Sequence, residues 1–150
     1  MIFAQEYFMR KAIDLAYLAK EHGNHPFGAL LAHDNEIVLT AENSVLTSQD
    51  VTHHAELNLI SEASRLFTLE RLSEVVLYTS TEPCAMCTGA IFWAGVRTVV
   101  YGCPAERLGE IAGGSFVVPC RHLFAFSEIN TAVIGPILEE EAAKVHEGFW

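Results

Sequence analysis

The stretch VVLYTSTEPCAMCTGAIFWAGVRTVVY, residues 75–101, is where this sequence commits to an architecture. Val75 to Thr79 is rich in β-formers and reads as a strand. Pro83 presets the start of a helix without wasting a backbone donor, so a helix opens near Cys84 and stops before Gly95. Thr98 to Tyr101 then reads as another strand. Working outward, residues 2 to 21 show apolar residues at helical spacing (Phe8, Ala12, Leu15, Ala16, Ala19), ended by Gly23 and Pro26. Gly28 to His33 and Ile37 to Ala41 are apolar runs split by Asp34-Asn35, a hairpin signal. Thr52 is expected to cap a helix running to about Arg65. Beyond residue 101, residues 104 to 111 suggest a short helix, Gly113-Gly114 a loop, Thr131 to Ile134 a last strand and Leu138 to His146 a last helix. Strands alternating with helices predict an α/β fold, a three-layer α/β/α sandwich with a mixed, about five-stranded central sheet.

The 150 residues fit a single domain, residues 1–150, and can bury a core without disulfide staples. No run of 18 or more apolar residues exists, which argues against a membrane span. The first 20 residues interleave charges with apolar residues and lack a signal-peptide core, so a cytoplasmic protein is expected. In that compartment Cys84, Cys87, Cys103 and Cys120 are expected to be reduced. The net charge is -10 and the nine Lys and Arg residues are scattered. That weighs against a phosphate backbone as the principal partner, and nucleic acid is not the expected ligand.

Three local features carry chemistry together: His54-Ala55-Glu56, Pro83-Cys84, and Cys87. Cys84 and Cys87 are three apart in the first turn of a helix, so both sulfurs can reach one ion. A helix N-terminus favours the thiolate that binds metal. His54 opens its own helix, and two helix starts following strands of one sheet lie at the same edge of it. Thiolates with an imidazole suit zinc, and three protein ligands leave a fourth tetrahedral position for water. Glu56 is placed to take a proton from that water and hand it on. A structural zinc site completed by Cys103 or Cys120, a Cys84–Cys87 redox pair, and a non-catalytic binding module are the competing readings. None of them gives Glu56 a role. Cys103 and Cys120 are expected to fill the core. The remaining histidines, His22, His25, His33, His53, His122 and His146, are assigned no role and expected mostly at the surface.

The pattern His54-x-Glu56 followed by Pro83-Cys84-x-x-Cys87 resembles the signature of the cytidine-deaminase-like superfamily of zinc deaminases. Pro26-Phe27-Gly28-Ala29, Asn43, Thr81-Glu82-Pro83-Cys84 and Gly89-Ala90-Ile91 are similar to the branch holding guanine deaminases, cytosine deaminase and tRNA adenosine deaminases. The resemblance covers roughly residues 1–103. It implies a Zn2+ cofactor, hydrolytic release of ammonia from an amino-heterocycle, and a homodimer. It also implies roles in holding the base for Asn43 and the backbone of Ala55, and for Phe27 and Trp93 in enclosing it. Substrate choice is expected to lie mostly in the last third. The acidic residue that bacterial guanine deaminases carry near Gly113-Gly114-Ser115 is missing, with Glu110 just before it. The acidic run Glu139-Glu140-Glu141 disfavours tRNA. A free base or nucleoside is expected, a guanine-deaminase-like purine first, then cytosine, then tRNA. Phe149 and Trp150 are expected to fold over the active site of the same or a partner chain as a lid.

Overall fold

Alternation within three apolar strands organises the molecule. In a computed structural model describing residues 2–150, Ala29, Leu31, Leu77 and Val99 point to one face of a sheet, and Leu30, Ala32, Tyr78 and Val100 to the other. Strands buried on both faces must be apolar at every position, and side chains of period two then feed two separate cores. The sheet has the order β2-β1-β3-β4-β5. Its strands are β1 (Gly28–His33), β2 (Glu36–Glu42), β3 (Val76–Thr81), β4 (Thr98–Cys103) and β5 (Ala132–Ile134). β1 pairs antiparallel with both β2 and β3, whereas β3–β4 and β4–β5 are parallel. The sheet is therefore mixed and five-stranded, as the sequence predicts.

One face carries α1 (Ile2–Glu21) and α8 (Glu139–Lys144). Phe8, Met9, Ala12, Ile13, Ala142 and Ala143 pack there on Leu30, Tyr78 and Val100. The other face carries α3 (Ala55–Leu66), α5 (Ala85–Ala94) and α7 (Cys120–Phe124), through Leu59, Ile60, Ile91, Cys120 and Phe124. The remaining helices are α2 (Val45–Ser48), α4 (Leu69–Glu74) and α6 (Ala105–Ala112). Among the described residues no helix is long and apolar enough to cross a membrane. Gly28 lets α1 lie directly against β1, because a Cβ there would sit 2.5 Å from the carbonyl oxygen of Ala12.

The hairpin turns through Asp34 and Asn35, both at positive φ, the two-residue loop whose twist matches its strands. The expected Thr52 cap is incorrect. Asp50 accepts hydrogen bonds from the backbone N–H of Thr52 at 2.9 Å and from its hydroxyl at 2.6 Å. The hydroxyl is thereby spent in a turn, and the helix starts two residues later with His54 at its N-cap. The short helices α2, α4 and α7 were absent from the sequence reading, since four to six residues carry too little periodicity to be seen. The expectation that the unassigned histidines lie at the surface fails for His146, which is fully buried.

Glu82, in the turn between β3 and α5, ties the last third of the chain to the rest. Its buried carboxylate accepts the backbone N–H of Ala105 at 2.9 Å and of Cys120 at 2.7 Å, the first residues of α6 and α7. Each is a charge-assisted bond to a helix start, worth about 1.5–3 kcal/mol. Glu82→Ala is expected to lower the unfolding free energy by about 2–4 kcal/mol, and Glu82→Gln, which keeps one acceptor, by less. Urea melts of the two variants check this; equal and negligible losses would remove the clamp.

Candidate active site

Two helix N-termini meet at one edge of the sheet. α3 begins after His54 and α5 after Cys84, and both of these N-cap residues are extended. Neither side chain bonds its own helix, which leaves both free to point outward. The loop leading to His54 is folded back by Asn58, whose amide donates to the carbonyl of Glu42 at 3.0 Å and to the Ser44 hydroxyl at 3.0 Å. Cys84 is set by β3 and by the hydrogen bond from Glu82 N–H to the carbonyl of Cys103 at 2.8 Å.

The result is a triangle. Nδ1 of His54 lies 3.5 Å from Sγ of Cys84 and 3.6 Å from Sγ of Cys87. All three ligand atoms lie within 4.8 Å of one another. A tetrahedral zinc with ordinary Zn–N and Zn–S bonds places nitrogen and sulfur about 3.6 Å apart. The donor set and its spacing therefore fit zinc. Among the described residues no other His, Cys, Asp or Glu joins the cluster. Cys103 and Cys120 are buried elsewhere, and burial pushes both thiols up, away from reactive thiolate. A structural site with a fourth cysteine is thus not formed.

The electrostatics match. The Cys84 thiol falls to about 4, chiefly because Cys87 hydrogen-bonds its thiolate, with His54 adding to it. The same bond, together with burial, pushes the Cys87 thiol up. His54 is raised by its bond to Cys84. Glu56, buried at the first turn of α3, is pushed up to about 7, first by burial and then by the negative charge of Cys84; its own backbone N–H and the charge of His54 oppose this. A carboxyl that titrates near neutrality can both accept and give back a proton.

Asn43 is buried, and its side-chain oxygen is occupied by the N–H of Val45 at 3.0 Å. Its amide nitrogen has no partner among the described residues. Ala55 is buried at the first position of α3, where a backbone N–H has no acceptor within the helix. Phe27 is half-buried, with its ring 6.0 Å from that of Trp150. Trp93 is not brought to the cluster within this chain. It is 81% exposed and meets Phe92 edge-on. Trp93 lies six residues beyond Cys87, about 9 Å further along the helix and on another side of it.

The sequence reading passed over His25 and His146. His25 packs against Trp150 with a tilted ring at 5.2 Å and meets Phe149 edge-on at 5.8 Å. Burial lowers its pKa, and the charge of His54 lowers it further. The backbone ties this group to the loop that leads to His54: Asn43 N–H donates to the carbonyl of Phe27 at 3.0 Å, and Ser44 N–H to the carbonyl of His53 at 2.9 Å. The Phe149-Trp150 pair was the one signal pointing here. On the other flank, a cavity of about 120 Å³ opens beside Cys84, lined by Leu108, Phe116, Val117 and Val118 from the last third of the chain. Glu110 is exposed and does not line it.

Fold, ligand triangle and buried glutamate together describe a zinc deaminase. Residues 3–103 match the family model for the cytidine and deoxycytidylate deaminase zinc-binding region, and the chain belongs to this family of zinc-dependent hydrolytic enzymes. It is 36% identical over 148 residues to a Schizosaccharomyces pombe protein named "Probable cytosine deaminase", covering 95% of this chain and 90% of that one. It is 41% identical over 97 residues to guanine deaminase of Bacillus subtilis, covering 64% of this chain and 62% of that protein, or just under two thirds of its length. A solved structure from work on A-to-I editing by tRNA:A34 deaminases superposes with a TM-score of 0.77 at 30% identity, over 93% of this chain and 98% of the other.

Two outcomes follow for the triangle and its neighbour. Purified protein is expected to hold one zinc per chain, with an absorption edge fitting two sulfurs, one imidazole and one light solvent atom. Cys87→Ala should lose the metal and Cys103→Ala keep it; four protein ligands with no oxygen would contradict the geometry. For His146, burial and Lys20 lower the imidazole to about 4. Unfolded, it takes its proton near about 6.5. Between these values the unfolded chain binds more protons, so stability falls as pH drops through that window. The melting temperature of wild type should therefore drop more from pH 7.5 to 4.5 than that of His146→Gln.

Proposed function

We propose that the protein deaminates a small, free amino-heterocycle, a nucleobase or nucleoside, with a purine ranked first. The observation that carries this reading is the aromatic group of His25, Phe27, Phe149 and Trp150 beside His54. A flat ring needs apolar walls with a few convergent polar groups, and the free amide nitrogen of Asn43 and the N–H of Ala55 can supply the latter.

The distribution of cations supports a small neutral substrate over a polyanion. Arg10 is paired with Glu141, and Arg107 with Glu139 and Glu140. Arg97 and Arg121 are bonded to backbone carbonyls, and Lys20 donates to the carbonyl of Val145. Arg10 and Arg107 are thus neutralised by carboxylates, and the nine Lys and Arg residues are outnumbered by 19 Asp and Glu, which disfavours a phosphate chain.

His54, Cys84 and Cys87 would hold the zinc, which when bound makes a water nucleophilic near neutral pH. Glu56 takes a proton from the attacking water and delivers it to the ring nitrogen next to the amino-bearing carbon. It then takes the proton of the newly added hydroxyl and gives it to the departing amine, so that ammonia leaves as the C–N bond breaks and a C=O remains. Asn43 and Ala55 orient the ring edge, and the aromatic rings exclude water. A homodimer belongs to the same reading. Its support is the apolar surface of α5 and α7, where the 92%-exposed Phe126 lines a groove of about 370 Å³ with Gly89, Phe92 and Leu123, and where Trp93 is exposed on the same helix as Phe92.

An ammonia-release screen over guanine, adenine, cytosine, their nucleosides and a tRNA anticodon stem-loop, at low and moderate salt, tests the substrate class. A free base or nucleoside is expected to give the highest kcat/KM. A stem-loop processed far faster than every small molecule would replace this reading with tRNA editing. Glu56→Ala should keep zinc and fold while losing at least about 10²–10⁴-fold in kcat.

A further inference from the structure

His146 has no part in the chemistry above, yet it is fully buried and doubly bonded. Its Nε2 lies 2.9 Å from the hydroxyl of Thr81, and its Nδ1 lies 3.1 Å from Nε1 of Trp150. The indole N–H can only donate, so Nδ1 must be the bare nitrogen. Nε2 therefore carries the hydrogen and donates it to Thr81. This tautomer is the neutral ring, the form that burial also enforces. Thr81 ends β3, three residues before Cys84. The imidazole thus spans from the strand that sets a metal ligand to the indole of Trp150.

The indole has little else to fix it. It is 47% exposed, and its other neighbours are rings: His25 at 5.2 Å, Phe27 at 6.0 Å and Phe149 at 4.9 Å. Stacking contacts tolerate sliding, whereas an N–H bond to a fixed acceptor does not. Phe27 also packs 5.2 Å from His146 itself. The imidazole is therefore the rigid post of the group, and the rings lean on it.

We propose that His146 is a positioning residue of the deaminase site: held between Thr81 and the Trp150 indole, it fixes the aromatic wall of His25, Phe27 and Trp150 against which the substrate ring lies. The proposal rests on the small-heterocycle reading of the same site. His25, carried on that wall beside His54, has no hydrogen-bond partner among the described residues, and its ring nitrogens are available to the edge of the heterocycle. Loss of the post lets the wall move. Substrate binding then weakens, while Glu56 and the metal triangle keep their places.

The test compares His146→Leu, His146→Gln and Trp150→Phe, with zinc content measured for each. The substrate is whichever of guanine, adenine, cytosine and their nucleosides wild type turns over best. His146→Leu should raise KM roughly tenfold with kcat within about twofold, as expected for one lost anchoring bond. His146→Gln, whose oxygen can accept from the indole while its amide donates to Thr81, should restore KM to within about threefold. Trp150→Phe keeps a ring but loses the N–H, and should raise KM in the same direction; it carries the test if His146→Leu fails to fold. In a Trp93→Phe background, where Trp150 is the remaining tryptophan, His146→Leu should shift emission to the red and His146→Gln should not. Unchanged KM in both His146→Leu and Trp150→Phe, or a fall in kcat at constant KM, would overturn the positioning role, as would unchanged emission. A wild-type protein inert toward every probe overturns the substrate reading instead, and the emission distinguishes the two because it needs no substrate.

Discussion

The 3.5 Å between Nδ1 of His54 and Sγ of Cys84, residues thirty apart in the chain, is the constraint on which the rest depends. It can exist only if the starts of α3 and α5 are brought to one edge of the sheet. That in turn requires β1 and β3 to be neighbours, with the hairpin partner β2 outside them. The two-sided apolar character of β1, β3 and β4 achieves this, because each strand feeds a helix layer on both faces. A helix N-terminus favours anions, and here two of them converge on thiolate and carboxylate. The same convergence that suits zinc pushes Glu56 upward, since a buried carboxyl beside a thiolate resists ionising. Metal affinity and proton transfer thus share one physical origin.

Around this rigid centre the chain adds less regular parts, and each is tied back by a specific polar bond. Glu82 gathers the starts of α6 and α7 with one buried carboxylate, so the segment lining the cavity beside Cys84 is fixed to the residue pair that precedes Cys84. His146 does the same for Trp150 on the opposite flank. Both devices act through residues on or just after β3, the strand that delivers Cys84. Both the cavity segment beside Cys84 and the aromatic group of Trp150 are therefore referenced to the strand that delivers the metal ligand.

Charge is handled conservatively. The net charge of -10 coexists with arginines that are nearly all engaged with carboxylates, carbonyls or rings of the same chain. The acidic run that opens α8 is partly neutralised by Arg10 and Arg107 rather than left to repel ligands. These pairs are surface features of modest energy. Their consequence is mainly that the acidic run opening α8 is held against α1 and α6 rather than left unpaired.

Much of the fold was legible from local pattern. The helix over residues 2–21, the hairpin through Asp34-Asn35, and the strand-helix-strand of residues 75–101 follow from periodicity and turn chemistry that each segment carries within itself. His54, Glu56, Cys84 and Cys87 were legible as well, because spacing along a helix start constrains where their atoms can point. What the sequence could not determine was which of several chemically possible partners each lone side chain takes, whether near or distant in the chain. Thr52 has the chemistry of a cap, yet Asp50 took its hydroxyl. Trp93 has the chemistry of a pocket wall, and in this chain it is largely exposed. His25 and His146 looked unremarkable as single residues, and only the packing of residues 145–150 against β3 and Phe27 gave them neighbours. Short-range geometry is written in residue spacing; the burial and pairing of a lone side chain depend on which competing partner the packed chain brings to it, Asp50 two residues from Thr52 or Thr81 sixty-five residues from His146, and only the tertiary structure could supply that choice.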